Sequence, residues 1–559
     1  MQTFKFQCLF LLCLLFSGML WAQPRPGMEK YWIFLTDKGD VSNYAPEDIL
    51  TARALARRER HGVAIAQNDY PVSAVYGQAL SALGAELRHP SRWFNAYSAW
   101  MDAETRIQIA ALPFVQEVKA IPSVHLDLEA IAPMPQRIGY ASGFTSAQLD
   151  MIGLDQLHQN GYNGRGILIS IMDNGFSKVD KNPYLKHLFD DNRILATYDF
   201  VNDETDVMNE GSHGAAVLSI LAGWGEELDT EFNFYGAAHG ASYILCHTED
   251  NTQEVHQEED NWVAAMEYAD SLGADIFSTS LGYRSFDNMD DYGYAGMDGN
   301  TTIITRGADL AASKGIIVVN SAGNSGANKL LAPSDGDSVI AVGAVKADRV
   351  IASFSSHGPS FDNRIKPDVC AMGQSTAFVN TSGQLSRGNG TSFSCPVMSG
   401  FLACLLQVAP ETKNMDLYQI LIHSADRYTT PDEMYGYGIP SAQNAYLELT
   451  GQKLPAVVAT SLLEENGFSF FPNPATNAFQ IAIDNDQVGF PAILELVDTR
   501  GKVVLTQHII IAPFYNVLRL NRADHYANLA AGRYVIRIRE NKDNGVVRYT
   551  GRIVILNNR

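Results

Sequence analysis

Five short apolar runs recur through the middle of the chain: GILISIMD (166–173), SYILCHT (242–248), ADIFSTS (274–280), GIIVVNSAGN (315–324) and SVIAVGAV (338–345). Helical sequence lies between them, including NWVAAMEYADSLG (261–273) and RGADLAASKG (306–315). A strand that is apolar at successive positions, rather than alternate ones, is buried on both faces. The intervening helices supply the cover. This pattern predicts a three-layer α/β unit around a parallel sheet, spanning about 136–450. In such sheets functional sites form outside the carboxyl ends of the strands.

The flanking sections read differently. Residues 30–127 open with a strand, YWIFLTD, continue through a long charged helix, PEDILTARALARRERHG, and reach an amphipathic stretch, AETRIQIAALPFVQEVKAI. That mixture predicts a compact α+β unit within 23–135. Residues 451–467 read as a linker. Section 468–559 alternates apolar and polar residues between Gly, Pro and Asn turns, as a small β-sandwich does. It carries eleven basic and eight acidic side chains over 465–559, a net of +3, which leaves −24 for the rest of a chain whose total is −21. So acidic a chain has no basic footprint for nucleic acid.

Lys5 precedes an apolar run from Cys8 to Phe16, with small Ala22 beyond it, so 1–22 reads as a secretory signal peptide. No later segment has 18 consecutive apolar residues. Of six cysteines, Cys246, Cys370, Cys395 and Cys404 lie beyond that signal. They sit in or beside apolar segments, fit no zinc spacing, and are expected as buried thiols.

The densest chemistry is GNGTSFSCP (388–396), where Thr391, Ser392, Ser394 and Cys395 precede a buried-helix pattern. A serine hydroxyl is a poor nucleophile near neutral pH. It needs a general base, a group that orients the base, and donors aimed at the developing oxyanion. Ser392 follows Gly390 and precedes Pro396, which is tolerated only near a helix start. There the backbone N–H groups and the helix dipole favour negative charge. Thr391 and Ser394 suit capping and first-turn hydrogen bonds.

His213, in GSHGAAVLSILAG, opens an apolar helix; His239 and His357 also neighbour glycine but open none. Asp173 closes the strand ILISIMD, where a buried carboxylate needs a partner. Asn324 follows GIIVVN within SAGNSG and could donate a side-chain N–H. Each residue alone has a plain structural reading, as a turn, core or cap residue. Together they fall at strand ends and helix starts of one sheet, in the order Asp, His, Ser.

On these motifs, the section from about 140 to 450 resembles the subtilisin-like serine peptidases, the subtilase family. DNG at Asp173, HGAAV at His213, SLG at 280–282, SAGNSG around Asn324, SFSSHGP (353–359), IKPDVCAMG (365–373) and GTSFSCP at Ser392 carry the likeness. It departs at Asn174, where the family usually has Ser or Thr, and at Ala215, where it usually has Thr. The resemblance implies a catalytic triad of Asp173, His213 and Ser392, with Asn324 as oxyanion donor. Ser280, Leu281 and Gly282 would line the cleft and pair with a peptide as an added strand. The preference for the residue before the scissile bond would be broad and mostly apolar.

Residues 30–127 look like the family's inhibitory propeptide, a ferredoxin-like unit, with its cut between about 128 and 142. FPNPATN (471–477), LELVDTRGKVV (494–504), LAAGRYVIRI (529–538) and GRIVIL are similar to the type A sorting domain of the type IX secretion system of Bacteroidota. The whole then implies a secreted or surface serine endopeptidase, made as an inactive precursor and exported by the outer-membrane machinery. It would act as a monomer on protein or peptide substrates. The alternative is an inactive subtilase scaffold that binds peptides at the surface. No cofactor is required for the chemistry. Asp287, Asp290, Asp291 and Asp298 in FDNMDDYGYAGMDGN (286–300) could hold a structural Ca²⁺, or form a solvated acidic loop.

Overall fold

The computed structural model describes residues 27–121, 125–126, 144–225, 234–249, 259–284, 293–328 and 330–455, and in the C-terminal section 468–471, 478–485, 490–511, 514–521, 529–542 and 545–555. The expected signal peptide, the expected cut region (128–142) and most of the expected linker lie outside the described residues. Two compact units are present, one built mainly from the sections up to Lys453 and one from Leu454 onward.

The first unit opens with strand β1 (Glu29–Leu35), followed later by β2 (Glu86–Ser91), β3 (Ala96–Met101) and β4 (Val115–Ala120). Their antiparallel order is β2-β3-β1-β4. Helices α1 (Ala52–His61), α2 (Ala74–Ala82) and α3 (Ala103–Ala110) complete the ferredoxin-like βαββαβ plan. Strand β1 is buried on both faces. Tyr31, Ile33 and Leu35 join the core of this small sheet, while Trp32 joins a different core with Trp262, Val263 and Met266. The long charged helix expected over 46–62 is interrupted. Leu50 is extended (φ −128°, ψ 138°), and Thr51 restarts the helix by accepting the Ala54 N–H on its side chain.

The central sheet has seven parallel strands: β6 (Leu168–Asp173), β7 (Ile194–Asp199), β8 (Ser242–His247), β9 (Ile276–Thr279), β11 (Ile317–Ser321), β12 (Val339–Val345) and β13 (Val369–Met372). The order is β13-β12-β11-β9-β6-β8-β7, so connections leave in opposite directions from the β6–β9 pair. A crevice opens at such a point. All five strands expected from sequence are present. Edge strands β7 and β13 were not among them: the half-exposed residues of β7 lack a continuous apolar signal, and β13 is only four residues long.

Helices α4 (His213–Ala222), α5 (Glu259–Leu272), α6 (Ile303–Ser313) and α7 (Thr391–Val408) belong to the same unit. Helix α7 is the one stretch among the described residues long and apolar enough to cross a membrane, and it is a core helix here. Two further pairs occur in this unit: β14 (Gln374–Val379) with β15 (Leu385–Asn389), and β5 (His125–Leu126) with β10 (Tyr283–Arg284), both antiparallel.

The second unit contains β16 to β22. Strands β16 (Phe468–Phe471), β17 (Ala478–Asn485) and β20 (Phe514–Asn521) form one antiparallel sheet. Strands β19 (Val503–Ile511), β18 (Phe490–Asp498), β21 (Gly532–Glu540) and β22 (Val547–Ile555) form the other. Ile481, Ile483 and Leu520 of the first share a core with Leu494, Ile536, Ile538 and Ile553 of the second, which makes a β-sandwich.

Candidate active site

Asp173 ends β6 and is fully buried. Its Oδ1 accepts from the Asn174 N–H at 2.8 Å and faces His213 Nδ1 at 2.7 Å. His213 is the first residue of α4. The helix start can approach the strand end because residue 214 is glycine: a Cβ there would lie 2.4 Å from the Gly175 carbonyl oxygen and 2.9 Å from Asp173 Cβ. Asn174 Oδ1 accepts the Gly214 N–H at 3.3 Å, so this side chain ties the two segments together.

A second buried His–Asp couple lies nearby in the fold, His247 with Asp199 at 2.9 Å. The other ring nitrogen of His247 meets the Glu249 carbonyl at 2.8 Å. Both nitrogens are therefore committed to the scaffold, and this imidazole has no face left for substrate chemistry.

Ser392 sits in the first turn of α7, after Gly390, whose φ of +148° favours glycine. The His213 ring lies edge-on to that of Phe393, the next residue, with centroids 6.3 Å apart. The neighbouring hydroxyls and thiol are engaged elsewhere. Thr391 Oγ1 donates to Asn324 Oδ1 at 2.9 Å and accepts the Gly323 N–H at 3.1 Å. Ser394 Oγ donates to the Thr391 carbonyl at 2.9 Å. Cys395 is fully buried, and burial pushes its thiol up to about 12, far from a reactive thiolate. No scaffold bond of the Ser392 hydroxyl is found among the described residues.

Asn324 is held by its oxygen end. Oδ1 accepts both the Thr391 N–H and the Thr391 hydroxyl, each at 2.9 Å, which leaves Nδ2 as the donor end. Ser280 follows β9, and its hydroxyl donates to the Ser392 carbonyl at 3.1 Å. Proline 396 explains why that carbonyl needs a donor. The residue four places after Ser392 would normally supply it, and proline has no N–H. The sequence carries this signal in the spacing of Ser392 and Pro396, although it does not say which side chain compensates. Leu281 is buried, and its carbonyl accepts from Asn320 Nδ2 at 3.1 Å. Gly282 leads directly into β10, which pairs with β5 through Tyr283↔Leu126 and Arg284↔His125.

The remaining cysteines, Cys246, Cys370 and Cys404, are free and buried like Cys395. Of the acidic loop, Asp298 is described; its oxygens accept the Asn300 and Thr301 N–H groups at 2.9 and 2.8 Å and the Thr301 hydroxyl at 2.9 Å. Asp287, Asp290 and Asp291 lie outside the described residues. Among the described residues no group of His, Cys, Asp and Glu is arranged to hold a metal ion.

Comparison with known proteins bears on this geometry. Residues 164–438 match the model of the subtilase family, 30–133 that of the peptidase S8 propeptide domain of Bacteroidota, and 469–555 that of a secretion system C-terminal sorting domain. Residues 164–438 are a subtilase-family peptidase domain. Among relatives, Subtilisin E of Bacillus subtilis (strain 168) is 28% identical over 381 residues, covering 67% of this chain and 86% of its own. Subtilisin of Bacillus pumilus is 28% identical over 303 residues, 53% of this chain and 97% of its own. Subtilisin-like protease SBT6.1 of Arabidopsis thaliana is 27% identical over 333 residues, 56% of this chain and 29% of its own.

The chain is a serine endopeptidase made as a precursor, with its propeptide domain ahead of the subtilase domain and a sorting domain behind it. The sorting domain marks it for export to the cell surface or beyond. The inactive-scaffold alternative is not favoured.

Proposed function

We propose that Asp173, His213 and Ser392 form the catalytic triad of this secreted peptidase. The supporting observation is the 2.7 Å contact between Asp173 Oδ1 and His213 Nδ1, on an imidazole packed against the residue that follows Ser392. His213 takes the proton of the Ser392 hydroxyl as the oxygen attacks a peptide carbonyl. Asp173 orients the ring and stabilises the imidazolium that forms. Asn324 Nδ2 and the Ser392 N–H, one of the four N–H groups a helix start leaves without intrahelical partners, hold the oxyanion. His213 then protonates the leaving amine, and water hydrolyses the acyl-enzyme by the same relay.

Antiparallel pairing of β10 with β5 supports the reading of Ser280–Gly282 as the edge that accepts a peptide strand. The propeptide domain, on this reading, blocks the cleft until it is cut away. Boundaries at 22, 135, 450 and 467 are proposed for the sections, and the peptidase is proposed to act as a monomer. A structural Ca²⁺ at the 286–300 loop is retained as a proposal, tested by whether chelation lowers the melting temperature.

The triad is tested by treating the matured enzyme with a serine-directed fluorophosphonate and locating the adduct by peptide mass. Label on Ser392, lost in His213→Ala, is the expected result. Stoichiometric label on another serine would overturn the assignment.

A further inference from the structure

Two glycines face one buried leucine beside the proposed nucleophile. A Cβ on Gly282 would lie 2.6 Å from Leu331 Cδ1 and 2.8 Å from its Cβ. A Cβ on Gly323 would lie 2.9 Å from both Cδ1 and Cγ of the same side chain. Leu331 thus occupies the space that two bare backbone segments leave between them, and it is 3% exposed. Its carbonyl is tied into a turn by the Ser334 N–H at 2.9 Å, so the residue is fixed by its backbone as well as by packing.

Both glycines adjoin the machinery. Gly282 lies two residues past Ser280, whose hydroxyl holds the Ser392 carbonyl. Gly323 donates to Thr391 Oγ1 and immediately precedes Asn324. On the proposed site, a peptide lying along 280–284 with its carbonyl at Ser392 and Asn324 would place the side chain of the acyl residue near these two walls. Glycine on both sides makes room for a side chain there, and Leu331 takes up the depth of that room.

We infer that Leu331 sets the size limit of the acyl-side specificity pocket, and that this peptidase cleaves after small residues (Ala, Gly or Ser) rather than large apolar or aromatic ones. The inference rests on the proposed roles of Ser392 and Asn324, and it narrows the broad apolar preference expected from the sequence. A filled apolar slot rejects extra methylenes, each by about 10- to 200-fold in kcat/KM.

The test compares tetrapeptide anilides that differ only in the residue before the scissile bond, Ala, Leu or Phe, on the matured enzyme and on Leu331→Gly. Leu331→Ala is carried beside it, as the milder change should Leu331→Gly fail to mature. Fluorophosphonate labelling of each preparation counts active sites. The native enzyme is expected to favour Ala over Phe by about tenfold or more. The variants are expected to raise the Phe-to-Ala ratio by at least as much, with labelling retained. A native enzyme that labels at Ser392 yet prefers Phe overturns the size limit. So does a variant that labels normally with an unchanged ratio. A native enzyme that cleaves but labels elsewhere overturns the underlying site assignment instead, and the inference with it.

Discussion

At the scale of single residues, the proposed site depends on polar groups whose other atoms are tied to the scaffold. Asn324 is anchored through Oδ1 so that Nδ2 is presented. Asn324→Ala should lower kcat by about 10²–10³ with little change in KM, the magnitude known for such a donor in subtilisin itself; steady-state kinetics on a peptide anilide measures it. Ser280 supplies the donor that Pro396 withholds from the Ser392 carbonyl. Ser280→Ala leaves a buried acceptor unsatisfied, at a cost of about 1–3 kcal/mol. Calorimetry should show a lower melting temperature, and kcat should fall as the first turn of α7 loosens. An unchanged melting temperature would remove that role. Asp173, His213, Asn324 and Ser392 could be singled out in sequence because each lies within two residues of a glycine, at the end or the start of an apolar run. Leu331 was not legible. It is one apolar residue in KLLAPSD, and its meaning depends on Gly282 and Gly323, which are distant in sequence or unremarkable alone.

At the scale of elements, the propeptide domain meets the peptidase section through buried charge. Asp270 of α5 receives Arg57 and Arg58 of α1, and Arg92 after β2. Arg58 also pairs with Asp69, which pairs with Lys314 of the peptidase section. Lys30 pairs with Asp260 at 2.5 Å, and Ser91 Oγ donates to Glu267 Oε1 at 2.6 Å. Asp260 and Glu267 are seven residues apart, so the helical period puts both on one face of α5, and Asp270 follows one turn later. Removing one partner from such a network strands the others, at about 3–5 kcal/mol. Asp270→Ala should therefore block folding or docking of the precursor, read as loss of secreted protein. The sequence showed α1 as part of a long charged helix, yet its arginines look solvated until α5 is placed against them. Arg57 is 1% exposed. Strand β7 was missed for a related reason: its half-exposed residues carry a weaker apolar signal than the buried central strands do.

The same interface holds two histidines. Burial, then Arg88 and Lys30, pull His89 down to about 4 against the opposing pull of Asp260 and the hydrogen bond with Asn261. Burial, then Arg60 and Arg57, and also Lys413, take His61 to about 4 against Asp275. Both rings are favoured neutral while docked, so the docked state binds fewer protons than the separated one. Docking is then at full strength above about pH 6.5, the ordinary histidine value, and weakens as pH falls from there toward about 4. Asp270 is held at about 2 and stays charged through this window. Gel filtration of the cleaved pair should show co-elution at pH 7.5 and separation near pH 5. Co-elution at both, or no change in His89→Gln, would contradict it.

At the scale of the whole molecule, three sections serve three stages. The sorting domain addresses the chain for export, the propeptide domain accompanies the peptidase section, and the parallel sheet carries the proposed site at the crevice beside β6 and β9. Fold class was readable end to end, because each section has its own hydrophobic period. The central claim is that Ser392, served by His213 and Asp173, does the chemistry and matures its own precursor. The most direct measurement is a time course of intact mass for the purified precursor beside its Ser392→Ala twin. The parent is expected to shed its N-terminal section by a cut between about 128 and 142 while the twin, folded and equally soluble, stays whole. A twin that cuts itself at the same rate would contradict the account.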